Sequence, residues 1–195
     1  MAVVAKPVLT EAEYLARERT ADFRSEFLRG EMFAMSGAKY PHNRVKENAA
    51  RNLGNQLEGG PCFVLSSHQR VKISPTGLYT YPDILIVCGS PEFEDSALDT
   101  LLNPRVIFEV LSELTEAYDR GAKFAHYRQL ASLEEYVLIS QDCPLVERYL
   151  RQPDGTWVLT AVSGLEATLP LASVGARLTL GVIYAGLEMS ETPGH

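Results

Sequence analysis

Two carboxylates stand inside two of the most apolar stretches of this 195-residue chain. Asp83 follows Pro82 in YPDILIVC (81–88), and Glu109 sits in the middle of RVIFEVLS (105–112). A buried carboxylate without a partner is costly and tends to stay protonated. A divalent cation removes that cost. Magnesium takes oxygen ligands, keeps several waters, and is commonly held by one or two carboxylates together with a substrate phosphate. Successive side chains of a strand point to opposite faces. Asp83, Leu85 and Val87 therefore share one face of their strand, and Ile107, Glu109 and Leu111 one face of theirs. If the two strands are neighbours, the acids meet at one spot. The ordinary alternatives are a turn capped by Asp83 beside Pro82 and an arginine paired with Glu109 across the sheet.

The elements that must position these acids can be read along the chain. TEAEYLARER (10–19) opens on a threonine cap and two glutamates and predicts a helix. FRSEFLRGEMFAM (23–35) reads as a hairpin turning at Arg29-Gly30. In YPHNRVKENAARNLGNQLEGG (40–60), Val45, Ala49, Leu53 and Leu57 recur every four residues, Ala50 widens the stripe, and Gly59-Gly60 ends it. That spacing predicts an amphipathic helix. CFVLSSHQRVKI (62–73), LYTYPDILIVC (78–88) and RVIFEVLS (105–112) read as three strands. TEAYDRGAKFAHYRQLAS (115–132) reads as a second helix and EEYVLIS (134–140) as a strand. LVERYLRQPDGTWVLTAVS (145–163) reads as a hairpin around Asp154-Gly155. The order implies an α/β (α+β) fold around one mixed sheet. The length suits a single domain, 1–195, with loosely ordered ends at 1–8 and 186–195.

Composition narrows the function classes. Apolar residues make up 46% and charged residues 22%, which is ordinary for a soluble protein. No run approaches a membrane helix, and the N-terminal segment does not read as a signal peptide. Cys62, Cys88 and Cys143 are odd in number and far apart; they read as reduced thiols of a cytoplasmic protein. No HxxxH, GxSxG, GxxxxGK[ST] or GxGxxG pattern is present. The net charge of −7 weighs against nucleic-acid binding through the whole surface, so any such contact must be local.

YPDILIVC, RVIFEVLS and TEAYDRGAKFAHYRQLASLEEYVLI, with FRSEFLRGEMFAMSGAKYPHNRV upstream, together resemble the bacterial "putative restriction endonuclease" family, which has the PD-(D/E)XK nuclease fold. The resemblance runs to about residue 185, and YDRGAKFAHYR is its most specific part. It implies an α-β-β-β-α-β core, an N-terminal helix and hairpin, and a C-terminal hairpin. It also implies a DNA endonuclease whose Mg²⁺ or Mn²⁺ is held by Asp83 and Glu109, leaving a 5′-phosphate and a 3′-hydroxyl. A homodimer follows by analogy with nucleases that cut both strands. The chain departs from the pattern twice. Leu111 stands where the catalytic lysine is expected, two residues after the glutamate; the resemblance moves that role to Lys123 on the next helix. Ser-Glu-Leu at 112–114 replaces Ser-Pro-Ser.

Other residues carry paired readings. Lys123 stabilises charge on phosphate, or makes a surface ion pair with Asp119 four residues earlier. Tyr127, one turn on, is a substrate-binding candidate lining the same cleft, or core. Glu26 matches the family's hairpin glutamate and is a candidate metal ligand, or an exposed residue like Glu31. His42 opens the 40–58 helix, where free N–H groups favour anions, and is a second substrate-binding candidate, or a cap. Arg44, Lys46, Arg51, Arg70, Lys72 and Arg128 are possible phosphate contacts; His68 and His126 carry no pattern. Two rival functions remain: a non-catalytic interaction or nucleic-acid-binding protein on the same fold, and hydrolysis of another phosphodiester.

Overall fold

The computed structural model describes residues 8–66 and 68–189. Its centre is set by alternation in two strands, β6 (Ile84–Cys88) and β8 (Val106–Leu111). Ile84, Ile86, Val106, Phe108 and Val110 face one apolar cluster, while Leu85, Val87, Ile107 and Leu111 face another. A strand buried on both faces must be apolar throughout, and every residue of β8 is buried. Glu109 is its one charged side chain, on the second face.

These strands belong to a six-stranded sheet. It also contains β3 (Cys62–Ser66), β9 (Glu135–Ser140), β10 (Leu145–Arg151) and β11 (Trp157–Ser163), in the order β11-β10-β9-β8-β6-β3. β8 and β9 run parallel, and the other pairs are antiparallel. Helix α2 (Tyr40–Leu57) lays Val45, Ala49, Leu53 and Leu57 on the first face. On the second face lie helix α3, running through residues 116–127, and a smaller sheet.

The smaller sheet explains two departures from the expected elements. CFVLSSHQRVKI is two strands, β3 and β4 (Arg70–Ile73), and LYTYPDILIVC is also two, β5 (Leu78–Thr80) and β6. The chain leaves the large sheet after Ser66 and returns at Ile84. The small sheet has the order β2-β1-β5-β4-β7, with β1 (Ser25–Leu28), β2 (Glu31–Ala34) and β7 (Thr100–Leu101). Apolar pattern alone cannot distinguish one long strand from two that switch sheets. The expected core survives in the large sheet as α2, β3, β6, β8, α3 and β9, with β4, β5 and β7 as an excursion. Asp83 consequently lies in the crossing, just before β6, and not inside a strand.

The N-terminal expectations hold. Thr10 and Glu13 form a capping box at the start of α1 (Glu11–Glu18). The β1–β2 turn uses Arg29 and Gly30, both at positive φ. Gly30 is required there twice over, because a Cβ would also strike Val8. Tyr14, Phe27 and Tyr79 stack to seat α1 on the small sheet. A second hairpin, β12 (Thr168–Leu171) with β13 (Ala176–Thr179), and a helical turn at Leu180–Ile183 were not expected. They cover the first face of the large sheet beside α2. The expected loose ends lie mostly outside the described residues, although Leu187 and Met189 pack on this core.

The cysteine reading is overturned. Cys62 and Cys88 stand directly opposite each other in the β3–β6 ladder and form a disulfide, leaving Cys143 free and buried. Considering each strand alone missed the register that pairs them. The bond closes a loop of sequence separation 26. Replacing both cysteines with serine should therefore lower the unfolding free energy by about 3 kcal/mol. Urea titration of the variant against the unreduced protein measures this, and a neutral result would mean that the thiols are not joined in solution.

Candidate active site

The two acids meet as the alternation requires. β6 pairs with β8 so that Ile84 opposes Phe108, which brings Asp83 beside Glu109. Asp83 extends the ladder with its side chain: Oδ2 accepts the Val110 N–H at 2.8 Å. This bond crosses between strands and is not the turn cap considered above. Pro82 has no N–H to satisfy where the chain passes between sheets. Tyr81, just before it, is anchored by donating to Glu18 Oε1 at 2.9 Å and accepting from Arg70 at 3.0 Å.

Glu109 finds no arginine. Its Oε1 receives the Tyr127 hydroxyl at 2.7 Å and lies 2.9 Å from Lys123 Nζ. Lys123 also approaches Asp119 at 3.3 Å and Glu26 at 3.4 Å. The pair with Asp119 exists, but it is buried: Lys123 is 6% exposed, Asp119 2% and Glu109 4%. Three carboxylates thus share one ammonium, and Asp83 adds a fourth beside them. Burial pushes the Glu109 carboxyl up to about 8, against the pull of Lys123, and raises Asp119 as well. Burial alone would lower the Lys123 pKa, but Glu109, Glu26 and Asp119 hold it well above the usual lysine value.

Helix α3 delivers Lys123 and Asp119 through a local irregularity. The helix starts at Glu116–Tyr118, passes through a π-helical turn at Asp119–Lys123, and resumes at Phe124–Tyr127. Such turns interrupt the i→i−4 ladder and gather at functional sites. The Asp119 carbonyl is taken by the Tyr136 hydroxyl of β9 at 3.0 Å. Nothing in the sequence reading pointed to the π turn, and it left Asp119 as a surface partner.

Glu26 lies on β1, and both of its oxygens are engaged. Oε1 accepts from Thr80 and faces Lys123, while Oε2 accepts the Tyr118 hydroxyl at 3.1 Å. Glu31 stays exposed on β2 and does not line the cleft. His42 stands in the first turn of α2 with Nε2 3.2 Å from Asp83 Oδ2. It is not the cap, since Lys39 occupies that position, and its Nδ1 is buried without a hydrogen-bond partner. Tyr127 is fully buried and reaches Glu109 from behind, from within the core and not from the cleft. Of the basic candidates, Lys46 alone lines the cleft. Arg70 and Lys72 are bound to Asp99, Glu11 and Glu94 on the small sheet. Sequence reading missed Arg24, Lys39 and His68, which also line the cleft. The cleft encloses about 780 Å³ between the β1–β2 hairpin, the start of α2 and the segment 112–115. Residues 112–114, where the family pattern is broken, form part of its wall.

Residues 11–182 match the model of the Uma2 family, described as "Putative restriction endonuclease". The chain belongs to that family. The uncharacterized Synechocystis protein sll1609 is 37% identical over 169 residues, spanning 87% of this chain and 96% of its own. A second uncharacterized Synechocystis protein, slr1290, is 32% identical over 181 residues, spanning 93% and 94%. The fold is similar to the crystal structure of a "putative nuclease belonging to DUF820" from Anabaena variabilis, with a TM-score of 0.74, 16% identity, and coverage of 91% and 98%. This Uma2 chain therefore has a mixed α+β, restriction-endonuclease-like fold.

The raised Glu109 pKa gives a pH signature. Its folded value near 8 lies above the ordinary 4.5, so the folded state holds the extra proton between those limits. The contribution is complete below about 4.5 and is lost as pH rises toward 8. In metal-free buffer the melting temperature should decline across that window, and Glu109→Gln should flatten the decline. An unchanged slope in the variant would assign the titration to another group.

Proposed function

We propose that the chain is a divalent-metal-dependent nuclease that hydrolyses phosphodiester bonds of DNA. The observation that carries this reading is the meeting of Asp83, just before β6, with Glu109 of β8 in one cleft, with Lys123 on Glu109. The donor chemistry fits Mg²⁺ or Mn²⁺. Carboxylates outnumber the ammonium in the cluster, and burial makes the free Glu109 carboxylate unfavourable. Among the described residues, no group of three or more His, Cys, Asp or Glu side chains forms a ready metal cage. An ion here would be held by two carboxylates and completed by water and phosphate. Asp83 and Glu109 would hold it. When bound, the ion supplies a more acidic water and positive charge at the phosphate.

The remaining residues have roles set by position. Lys123 is oriented by Glu26 and Asp119 and meets the charge that builds on the attacked phosphate. Glu26 is engaged by Thr80, Tyr118 and Lys123, which favours bracing the lysine over ligating the ion. Tyr127 fixes the Glu109 carboxylate by donating to it. His42 holds Asp83 from the other side, at the N-terminus of α2, where unpaired N–H groups favour a phosphate. The large and small sheets share one apolar cluster, which supports reading the chain as a single domain. No helix among the described residues is long and apolar enough to cross a membrane. A nucleic-acid substrate favours the cytoplasm; the Cys62–Cys88 bond weighs the other way. A homodimer rests on analogy alone.

The test is nicking of supercoiled plasmid in Mg²⁺ or Mn²⁺. Asp83→Ala and Glu109→Ala should abolish it, and Lys123→Ala should slow it by about 10²–10³-fold. Nicking that survives Asp83→Ala would remove this site from the reaction. Metal should also raise the melting temperature of the wild type, by the equivalent of about 2.7 kcal/mol at a hundredfold excess over its dissociation constant, and not that of Asp83→Ala. An inert wild type with no such rise would leave the rival reading, a non-catalytic binding protein, which Leu111 at the usual lysine position favours.

A further inference from the structure

The rim of the cleft differs in kind from its floor. Every residue of FAMSGAKY, 33–40, which runs from the end of β2 into the start of α2, is exposed. Phe33 is 50% exposed, Phe23 62% and Leu114 84%, and all three line the cleft together with Met35. The hairpin register fixes their side. Glu26 faces Phe33 across β1 and β2, and the Met35 N–H bonds the Arg24 carbonyl, so Arg24, Glu26, Phe33 and Met35 share one face. The face that brings Glu26 to Lys123 therefore also carries two large apolar side chains and a cation outward. Arg24, Lys39 and His68 lie among them along the cleft, and Lys39 has no ion-pair partner among the described residues.

Exposed aromatic rings interleaved with cations, above a buried acidic floor, suit a ligand with flat apolar faces on an anionic backbone. We propose that the substrate delivered to this cleft is an unpaired nucleic-acid strand, its bases against Phe23 and Phe33 and its phosphates toward Arg24 and Lys39. This deepens the nuclease reading and rests on it for the chemistry, though not for the binding. A duplex fits less well. Its base faces are already stacked, so the rings would meet only edges. Proteins that grip duplexes through the backbone commonly make about six to ten phosphate contacts. Here the chain carries a net charge of −7, and among the described residues the Lys and Arg side chains lining the cleft besides Lys123 are Arg24, Lys39 and Lys46.

The experiment is fluorescence anisotropy with labelled oligo(dT) and a labelled duplex of equal length, in Ca²⁺ to hold back cleavage. Oligo(dT) should bind at least about tenfold more tightly than the duplex. The double variant Phe23→Ala/Phe33→Ala should lose about tenfold or more of that affinity with its melting temperature unchanged, because the rings are exposed. Lys39→Ala should reduce the salt dependence by about 0.7 in log–log slope. Equal or tighter duplex binding overturns the proposal, as does oligo(dT) affinity that ignores the ring variant. So does a dimer in sedimentation that the ring variant dissociates, since the patch would then be a subunit interface. Ring-dependent oligo(dT) binding without cleavage of either oligo(dT) or plasmid in Mg²⁺ or Mn²⁺ supports this proposal while defeating the nuclease reading. Duplex cleavage unaffected by the ring variant does the reverse.

Discussion

The ammonium of Lys123 is the group around which the site is arranged. It is buried among Glu109, Asp119 and Glu26, which come from β8, α3 and β1 respectively. The β1 hairpin, far upstream in sequence, is thus tied to the consecutive elements β8 and α3 through one charge, and the geometry of each depends on the others. Such a cluster is a weak source of stability, because removing charges from water consumes most of what their attraction returns. Its value lies in specificity of placement. The carboxylates cannot spread without leaving the lysine, and the lysine cannot leave without stranding them. The excess of negative charge that remains is what a metal ion would answer.

A second constraint is the chain's passage between sheets at Tyr81-Pro82-Asp83. An ordinary strand would bury its carboxylate against the sheet. Here the ladder stops three residues short, and Asp83 replaces a missing backbone acceptor for Val110. Tyr81 holds the crossing to α1 and the small sheet through Glu18 and Arg70. The small sheet therefore acts as a mount for one wall of the cleft. Its β1–β2 hairpin supplies Glu26 below and the exposed Phe33 ring above.

Much of this was legible in the residues, and the exceptions share a cause. Local signals were sufficient for α1, α2, the Arg29-Gly30 turn and the β10–β11 hairpin, because caps, periodicity and positive-φ glycine act within a few residues. The period-2 argument also placed Asp83 and Glu109 together. What failed were questions of partnership. Apolar runs do not state which sheet they join, so two expected strands proved to be four. Nor do they state register, so Cys62 and Cys88 read as separate thiols. Asp119 looked superficial because its burial depends on β9 and the small sheet, not on its neighbours in sequence. His42 reads as a candidate, but its contact with Asp83 depends on how α2 lies over the crossing.

The π turn of α3 gives the helix two registers in one continuous rod. Upstream of it, Tyr118 is aligned with Glu26 on the small sheet; downstream, Phe124 and Tyr127 are aligned with the aromatic core on the large one. A regular helix has a single phase and could satisfy only one of these surfaces. The extra residue in the turn works as a shim, letting each half settle in its own seat while Asp119 and Lys123 occupy the joint. Loss of that one residue would leave the helix intact by circular dichroism, yet rotate one half away from its seat. A protein family built on this helix should therefore tolerate substitutions along it far better than a change in its length.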